Sequence, residues 1–214
     1  SIKKFIIFSI ILLSAFYFLN SSPAYADITT GLVGYWKFDE TGGTTATDSS
    51  GSGNNGTLTN GPTWTAGKVN NALNFDGTND YVDAGSASSL DNITTKTVTA
   101  WIKPNSYGES VSGIIVSKGT DNATPNGGWR FQLGNTNMSY LHNFSGGFFF
   151  GLWSSPSFSI PLGVWSHVAI TYNKSSSSNA PIMYINGQSV TVTTSIAPSG
   201  TADTDSATNL VMGS

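Results

Sequence analysis

The sequence has no cysteine, a single arginine and only two glutamates among its 214 residues. Without cysteine the chain can form neither disulfide bonds nor thiolate metal sites, so a hydrophobic core has to hold the fold together. Arg130 is the lone arginine and no basic patch accompanies it, which argues against nucleic acid as a partner. The two glutamates, Glu40 and Glu109, restrict the carboxylate chemistry that the chain can perform.

The first 26 residues show the order of segments that is typical of a secretory signal peptide. Lys3 and Lys4 are followed by an uncharged apolar run over 5–19, a polar break over 20–23 and an Ala-Tyr-Ala cleavage site at 24–26. The alternative, a membrane anchor, requires about 20 apolar residues, and this run is shorter. We therefore expect a signal-peptide helix at 1–26, a secreted domain at 27–214, and no membrane insertion once the signal is removed.

Beyond residue 27 the sequence shows no helical period. Short apolar or alternating stretches are separated by Gly, Asn, Ser, Thr and Pro, which is typical of many strands joined by turns. Asn186-Gly187 predicts a tight hairpin, because both residues tolerate the positive φ values of a type I′ turn. We predict an all-β, two-sheet antiparallel β-sandwich with strands at 32–38, 72–75, 81–83, 97–103, 114–118, 129–133, 148–153, 165–172, 182–185, 189–193 and 209–213.

Alternation along three of these strands separates core side chains from outward-facing ones, because successive side chains point to opposite faces of a sheet. The set assigned to the core is Val98, Ala100, Ile102, Phe148, Phe150, Leu152, Val168, Ile170 and Tyr172. The set assigned to the opposite face includes Trp101, Phe149, Trp153, Trp165 and His167.

Eight segments together resemble the laminin G-like, or concanavalin A-like, jelly-roll domain. In chain order they are LVGYWKFDE at 32–40, DSSGSGNNG at 48–56, ALNFDG at 72–77, NDYV at 79–82, VTAWIKP at 98–104, GVWSHVAITY at 163–172, IMYING at 182–187 and LVMGS at 210–214. They span almost all of the chain beyond residue 27. The resemblance implies a jelly-roll sandwich but leaves the function open, because this fold carries lectins, adhesins, enzyme accessory modules and some hydrolases.

Members of that family continue past the position of the final Met-Gly-Ser into a last strand, which lies beside the first strand. The resemblance therefore implies that the domain at 27–214 lacks its last strand. The strand at 32–38 would then be an exposed sheet edge, which is a site for association with other chains.

The polar loop at 48–56 is a candidate metal site. Calcium takes six to eight oxygen ligands from carboxylates, amides and backbone carbonyls, and loops supply these flexibly. Because family members often carry a structural calcium near such loops, the resemblance implies Ca²⁺ bound through Asp48, Asn54 and Asp80. The alternative is that the Asp, Asn, Ser and Gly residues simply form turns, since their spacing does not match an EF-hand.

The sequence offers no convincing catalytic constellation. A retaining glycosidase needs two carboxylates roughly 5 Å apart, whereas the adjacent Asp39 and Glu40 would point to opposite faces of a strand. A nucleophilic triad has only His142 and His167 to draw on and no cysteine. We interpret His167 as a structural residue that packs against Trp165, and we predict that the chain is not an enzyme.

Aromatic side chains off the predicted core are candidates for a sugar-binding groove. Aromatic rings stack on the C–H faces of pyranose rings, while amide and guanidinium groups bond sugar hydroxyls. The alternative is that loops cover this face and the aromatics form a second small core, because large aromatics are usually mostly buried. The candidate ligand-binding residues are Trp101, Arg130, Gln132, Phe149, Trp153 and Trp165.

Together these features favour a secreted binding or adhesion module, part of a larger extracellular protein, that binds a glycan or an extracellular protein partner. The first alternative is a non-catalytic accessory domain of a secreted glycoside hydrolase. The second is a hydrolase of the sandwich fold itself.

Overall fold

The computed structural model describes residues 29–107, 113–119, 128–134, 136–145, 150–157, 159–206 and 208–213. The predicted signal peptide at 1–26 and the candidate Phe149 lie outside the described residues. Leu32–Ser214 form one structural unit, to which all the elements below belong. Among the described residues, no helix is long and apolar enough to cross a membrane.

The described part is built from strands, apart from one turn of 3₁₀ helix at Ser88–Leu90. The strands are β1 (Thr45–Ala46), β2 (Gly56–Thr59), β3 (Thr63–Ala66), β4 (Asn71–Asn74), β5 (Tyr81–Asp83), β6 (Thr95–Ile102), β7 (Gly113–Gly119), β8 (Gly128–Leu133), β9 (Met138–Ser145), β10 (Phe150–Ser154), β11 (Ser166–Asn173), β12 (Ile182–Ile185), β13 (Gln188–Val190), β14 (Thr193–Ile196), β15 (Thr201–Ala202) and β16 (Leu210–Met212). The all-β prediction is confirmed.

Two sheets carry most of the structure. The large sheet has ten strands in the order β1-β2-β5-β16-β7-β8-β9-β10-β14, with β15 paired to the end of β9. The small sheet has the order β13-β12-β11-β6, and β3 and β4 form a separate hairpin. Rings of the two main sheets meet in the core: Tyr172 on β11 lies 5.1 Å from Tyr140 and 5.4 Å from Trp153, measured between ring centroids. The antiparallel sandwich is therefore as predicted.

The face assignments of β6 and β11 are also confirmed. On β11, Val168 and Ile170 are almost fully buried. On β6, Val98, Ala100 and Ile102 pack against the core, while Trp101 between them is exposed.

The predicted hairpin is present between β12 and β13, where Asn186 and Gly187 have φ values of 50° and 80°. A type I′ turn requires positive φ at both of these positions.

The predicted strand at 32–38 was wrong, because this segment is extended without forming a regular strand. Among the described residues its one ladder partner is a single bridge between Trp36 and Asp48. Phe38 has a φ of 55°, which a bulky L-residue seldom adopts and which breaks an extended run. Val33, Trp36 and Phe38 still pack against the core. The segment therefore contributes apolar burial rather than ladder hydrogen bonds.

The sequence prediction missed β9, a central strand of the large sheet. Met138, Tyr140, His142 and Phe144 alternate toward the core, and the smaller or more polar residues between them are buried as well. Ser, His and Asn lower the apolar content of β9, so this strand does not form the apolar run on which the strand predictions were based. The period-two spacing of Met, Tyr, His and Phe was the signal that identifies the strand.

Candidate functional site

The polar loop between β1 and β2 is organised around the carboxylate of Asp48, which is buried. Its Oδ1 accepts the backbone N–H groups of Tyr35 at 2.9 Å and Ser50 at 2.8 Å. Its Oδ2 accepts the Ser50 hydroxyl and the backbone N–H of Asn54, both at 2.9 Å. Burial alone would raise the pKa of Asp48, but the hydrogen bonds from Ser50 and Tyr35 outweigh it and hold the pKa below its ordinary value.

Asn54 joins this loop to two other parts of the chain. Its side-chain Nδ2 donates to the carbonyl of Val33 at 2.7 Å and to the hydroxyl of Ser89 at 3.0 Å. Its own carbonyl accepts the indole N–H of Trp36 at 2.9 Å. The loop therefore fastens the extended segment at 32–38 to the sandwich, which is a structural role for both Asp48 and Asn54.

Asp80, the third predicted calcium ligand, lies in a different turn. Its Oδ2 accepts the backbone N–H of Asp76 at 3.0 Å, so its hydrogen bonding follows the turn before β5 rather than the loop around Asp48. The described residues contain no group of three or more His, Cys, Asp or Glu side chains placed to hold a metal ion. At Asp48 a cation would have to displace N–H and O–H donors from both oxygens, so this set of ligands does not fit calcium as it stands. Calcium binding stays a prediction.

Trp101 forms an exposed aromatic surface on the outer face of the small sheet. Its side chain is 48% exposed. His167 stands directly opposite it on β11, and their rings meet edge to face with 5.3 Å between centroids. The ammonium nitrogen of Lys68 lies 5.5 Å from the centroid of the Trp101 ring. We call Trp101, His167 and Lys68 the Trp101 face. The ring partner of His167 is thus Trp101 rather than the predicted Trp165.

Trp165 lies at the end of the same sheet, immediately before β11, and is half-buried. Next to it, Leu162 and Val164 are exposed apolar side chains. The backbone N–H of Gly163 donates to the carbonyl of Pro104 at 2.8 Å, which fixes this loop beside the end of β6.

Arg130 and Gln132 lie on the other sheet, so the structure separates them from Trp101. On β8 the alternate residues Trp129, Phe131 and Leu133 belong to the core. Arg130 and Gln132 therefore point to the outer face of the large sheet, where Arg130 is half-buried and Gln132 is buried. Among the described residues, Trp101 and Trp153 are therefore not brought together with Arg130 and Gln132 in one groove.

The assignment of Trp153 to the outer face was wrong. Trp153 is 1% exposed and stacks on Tyr140 with 6.1 Å between ring centroids. The alternation on β10 could not show which face points to the core, because both faces of this strand carry large apolar residues. On β6 and β11, polar residues on one face show which side points to solvent, but β10 has no such polar face.

The structure shows a polar layer in the core that the sequence reasoning missed. Lys96 on β6 and Tyr172 on β11 are directly opposite each other and both are buried. Across the sandwich, Trp129 on β8 and His142 on β9 are likewise opposite and buried. The Lys96 ammonium nitrogen lies 4.5 Å from the Trp129 ring centroid, and the His142 and Tyr172 rings are 5.3 Å apart. Asp205, also buried, completes this set, which we call the polar layer.

Burial governs the protonation of the polar layer. Burial lowers the pKa of Lys96 to about 7, with Asp205 opposing the change and Lys174 and Lys118 adding to it. Burial, followed by the charges of Lys96 and Lys174, lowers the pKa of His142 to about 2, so this imidazole is neutral. Burial also raises the pKa of Tyr172. A lysine at an inward-facing strand position was the one sequence signal for this layer.

Several polar atoms of this layer have no hydrogen-bond partner within the described part of the chain. They are Lys96 Nζ, His142 Nε2, Tyr172 Oη and Asp205 Oδ2. The second oxygen of Asp205 does accept the backbone N–H of Asn92, at 2.6 Å. Unpaired buried polar groups are costly, so a cluster of them calls for an explanation.

Comparison with known proteins supports the jelly-roll interpretation. The family model of the concanavalin A-like lectin/glucanases superfamily matches residues 76–214. No curated protein matches the sequence.

Three solved structures are similar to the chain. The binding domain of Paraclostridial mosquitocidal protein 1 has a TM-score of 0.62 at 16% identity, with 84% of this chain and 42% of that chain covered. The botulinum neurotoxin serotype G binding domain has a TM-score of 0.51 at 14% identity, covering 77% of this chain and 42% of that one. Domain 4 of an extracellular arabinanase from Geobacillus stearothermophilus, in complex with arabinotriose, has a TM-score of 0.47 at 19% identity, covering 78% and 76%. The chain thus spans less than half of the first two, and these identities bear on the fold alone.

Proposed function

The chain belongs to the concanavalin A-like lectin/glucanases superfamily, and from this we propose that it is a non-catalytic binding module of an extracellular protein, with a glycan as its ligand. The Trp101 face is the observation that carries the proposal. Trp101 is half-exposed on a regular sheet and stands beside a histidine ring and a lysine, so it combines an accessible aromatic ring with polar neighbours.

The geometry of the Trp101 face suits a sugar ring. His167 supports the indole from the side, edge to face, so the indole keeps a fixed orientation while remaining exposed. Aromatic faces stack on the C–H faces of pyranose rings. The ammonium group of Lys68 lies over the ring, so this side chain has to swing aside for a sugar to stack there, and it can then donate to the sugar's hydroxyls. One stacked ring with few polar contacts gives modest affinity, which repeated modules in a larger protein would reinforce.

The carboxylates of the first loops support a non-catalytic role, because they accept structural hydrogen bonds. Glu40 Oε1 accepts the backbone N–H of Thr47 at 2.7 Å, and Asp39 Oδ2 accepts the side chain of Asn70 at 3.3 Å. Asp48 is held by its own loop. Glu109 lies outside the described residues. Of the two histidines, His142 is buried with a pKa lowered to about 2, which removes it as a base near neutral pH.

The experiment is a screen of the protein against an array of plant, bacterial and animal glycans, followed by titration of the best ligand. Trp101→Ala should weaken binding about fivefold, because a stacking ring contributes on the order of 1 kcal/mol. Tyr35→Ala is the matched control, since Tyr35 is also exposed and also lies under a lysine, Lys37, at 5.8 Å. It should leave the affinity unchanged.

Each other outcome contradicts a different part of the proposal. Binding that survives Trp101→Ala would move the site elsewhere on the molecule. Binding of a protein partner with no glycan bound would change the class of ligand. Release of free sugar from a bound glycan would show that the chain is an enzyme.

A further inference from the structure

The small sheet ends on one long strand that is open on its far side. The strand order is β13-β12-β11-β6, so β6 is an edge strand. It has eight residues, whereas the strands at the other ends of the two main sheets, β13, β14 and β1, have three, four and two. Native proteins keep most edge strands short, because a long open edge pairs with other chains. The length of β6 therefore needs an explanation.

β6 also lacks the features that protect an open edge, which are charged side chains, proline and β-bulges. Its ladder with β11 continues from Thr95 to Ile102 without a shift of register, and the strand contains no proline. Its one charged residue, Lys96, points to the core and is buried. The side chains on its outer face are all uncharged: Thr95, Thr97, Thr99 and Trp101.

The backbone groups of β6 divide between its two sides. The N–H of Lys174 donates to the carbonyl of Thr94 at 2.9 Å. Since hydrogen-bonded pairs alternate along an antiparallel ladder, the even-numbered residues of β6 bond to β11. The N–H and C=O groups that point to the open edge are therefore those of Thr95, Thr97, Thr99 and Trp101. Within the described residues, no backbone hydrogen bond joins these groups to another segment.

The core is less completely closed along this edge. On β11, Val168 and Ile170 are 0% and 1% exposed. Their partners on β6, Ala100 and Val98, face the same core but are only partly buried. A further strand beside β6 would remove these apolar side chains from water, which is favourable. The edge therefore offers both unpaired backbone groups and apolar surface.

We propose that β6 pairs antiparallel with β6 of a second copy of the chain, so that two four-stranded small sheets become one continuous sheet. A two-fold axis then relates the copies, and each contributes the same surface to the interface. This pairing does not depend on the nature of the ligand that the Trp101 face binds.

The sequence of β6 suits pairing with itself about Thr99. In that register Thr99 stands opposite Thr99 of the partner subunit, and Val98 stands opposite Ala100 of the partner subunit. Apolar residues then meet on the core side, and both cores lie on the same side of the sheet, as the two-residue period requires. Lys96 stands opposite Ile102 of the partner subunit, so no like charges within β6 oppose each other.

On the outer side the same register places Thr97 opposite Trp101 of the partner subunit. The two Trp101 rings then share one surface, separated along the strands by four positions, or about 14 Å. Pairing uses backbone groups at the edge and leaves the outer face open. The dimer would thus present the Trp101 face twice to one extended ligand, which strengthens weak attachment. This consequence, unlike the pairing itself, rests on the proposed function.

Sedimentation velocity over a series of protein concentrations measures the association. A contact between two single strands is smaller than the roughly 1,200–2,000 Å² of stable complexes, so we expect dimer in equilibrium with monomer. Thr99→Pro should raise the dissociation constant of the dimer about tenfold or more, because it removes an N–H from each subunit at the centre of the interface. The bonds between β6 and β11 use even-numbered residues and stay in place.

Ser189→Pro is the matched control, because Ser189 lies on β13 at the opposite edge of the same sheet. The pair Ile185 and Gln188 closes the two-residue turn, so the next pair, Tyr184 and Ser189, directs its backbone groups away from the β12–β13 ladder. Ser189→Pro therefore also removes an N–H that points to an open edge. It should leave the dissociation constant unchanged.

Thr99→Lys and Thr99→Glu test the register and decide the matter if Thr99→Pro does not fold. Each variant alone should dimerise at least about tenfold more weakly than the wild type, because like charges then stand opposite each other. An equimolar mixture of the two should recover the association as a heterodimer.

Three results would each overturn the proposal. The first is a protein that stays monomeric up to about 1 mM, the weak end of specific association. The second is an equal effect of Thr99→Pro and Ser189→Pro on the dissociation constant. The third is a mixture of Thr99→Lys and Thr99→Glu that associates no better than either variant alone.

Discussion

Asp48 accepts the backbone N–H of Asn54 at 2.9 Å, and this bond closes the loop at 48–56 around a buried carboxylate. Since Asn54 in turn holds Val33 and Trp36, the two residues form the connection between the irregular first segment and the regular sandwich. A segment whose described ladder is a single bridge needs such side-chain bonds, because its remaining backbone groups must be satisfied in another way.

Asp48→Ala should therefore destabilise the protein by about 2–4 kcal/mol, because four donors lose a charged acceptor in a buried site. Urea denaturation measures the change. Asp76→Ala is the matched control, since the exposed Asp76 accepts one bond, from the Thr78 backbone, and should cost less than about 1 kcal/mol. Equal losses in the two variants would contradict the anchoring role.

Asp48 could act as a structural hydrogen-bond acceptor or as a calcium ligand, and removal of calcium distinguishes these two roles. Because both oxygens of Asp48 already accept hydrogen bonds, we expect a chelator to leave the melting temperature of the protein unchanged. A ligand that binds only the native state stabilises it by about 2.7 kcal/mol at a hundredfold excess over Kd. A fall in melting temperature on chelation that disappears in Asp48→Ala would instead support the calcium prediction made from the sequence.

The two tryptophans once assigned to the same face should respond oppositely to truncation. Trp153→Ala should cost roughly 3–5 kcal/mol, because it leaves a cavity beside Tyr140 and Tyr172 in the core. Trp101→Ala should change the free energy of unfolding by less than about 1 kcal/mol, because its ring is half in solvent. Chemical denaturation of both variants checks this contrast, and a reversed order of the two losses would contradict the core assignment.

Stability should fall in acid because of His142. Its pKa is about 2 in the folded protein and about 6.5 when exposed, so between these values the unfolded chain binds a proton that the native state excludes. The free energy of unfolding therefore decreases as the pH drops below about 6.5. Lys96 has the same effect at higher pH. Its pKa is about 7 in the folded protein and 10.5 when exposed, so the free energy of unfolding rises as the pH increases between these values.

Melting curves between pH 4 and pH 9 test this dependence. His142→Phe keeps a ring in the core and should flatten the acid side, while Lys96→Met should flatten the rise above neutrality. Parallel pH profiles in all three proteins would show that other groups control the response.

Export should remove residues 1–26, because the charged, apolar and Ala-Tyr-Ala segments stand in the order that a signal peptidase recognises. N-terminal sequencing of protein collected from the medium should begin at Asp27. An intact leader recovered with the membrane fraction would contradict both the cleavage and the extracellular location that we propose.

The orientation of a strand could be predicted from the sequence where one of its faces was polar and the other apolar. On β6, threonines alternate with Val98 and Ala100, so the strand has one apolar face and its orientation follows. On β10 both faces are apolar, and alternation could not say which side Trp153 takes. The Asn186-Gly187 turn was predictable for another reason: its backbone conformation is a local property of the two residues.

The polar layer could not have been predicted, because it depends on tertiary pairing. Lys96 and Asp205 are far apart in the chain, and the inward-facing position of Lys96 on β6 does not show which groups it meets. His142 belongs to the strand that the apolar-run criterion missed. Only the register of β6 with β11, and of β8 with β9, brings these groups to one level of the sandwich.

The position of β16 has a consequence for the time course of folding. Leu210–Met212 insert between β5 and β7 in the large sheet, so the two halves of that sheet share no ladder until this strand arrives. All-β domains with such distant pairings fold in milliseconds to seconds, because loop closure precedes the gain from contacts. Because synthesis proceeds from the N-terminus, this sheet must wait for β16, the last of the described strands. During that interval the edges of β5 and β7 are open to pairing with other chains.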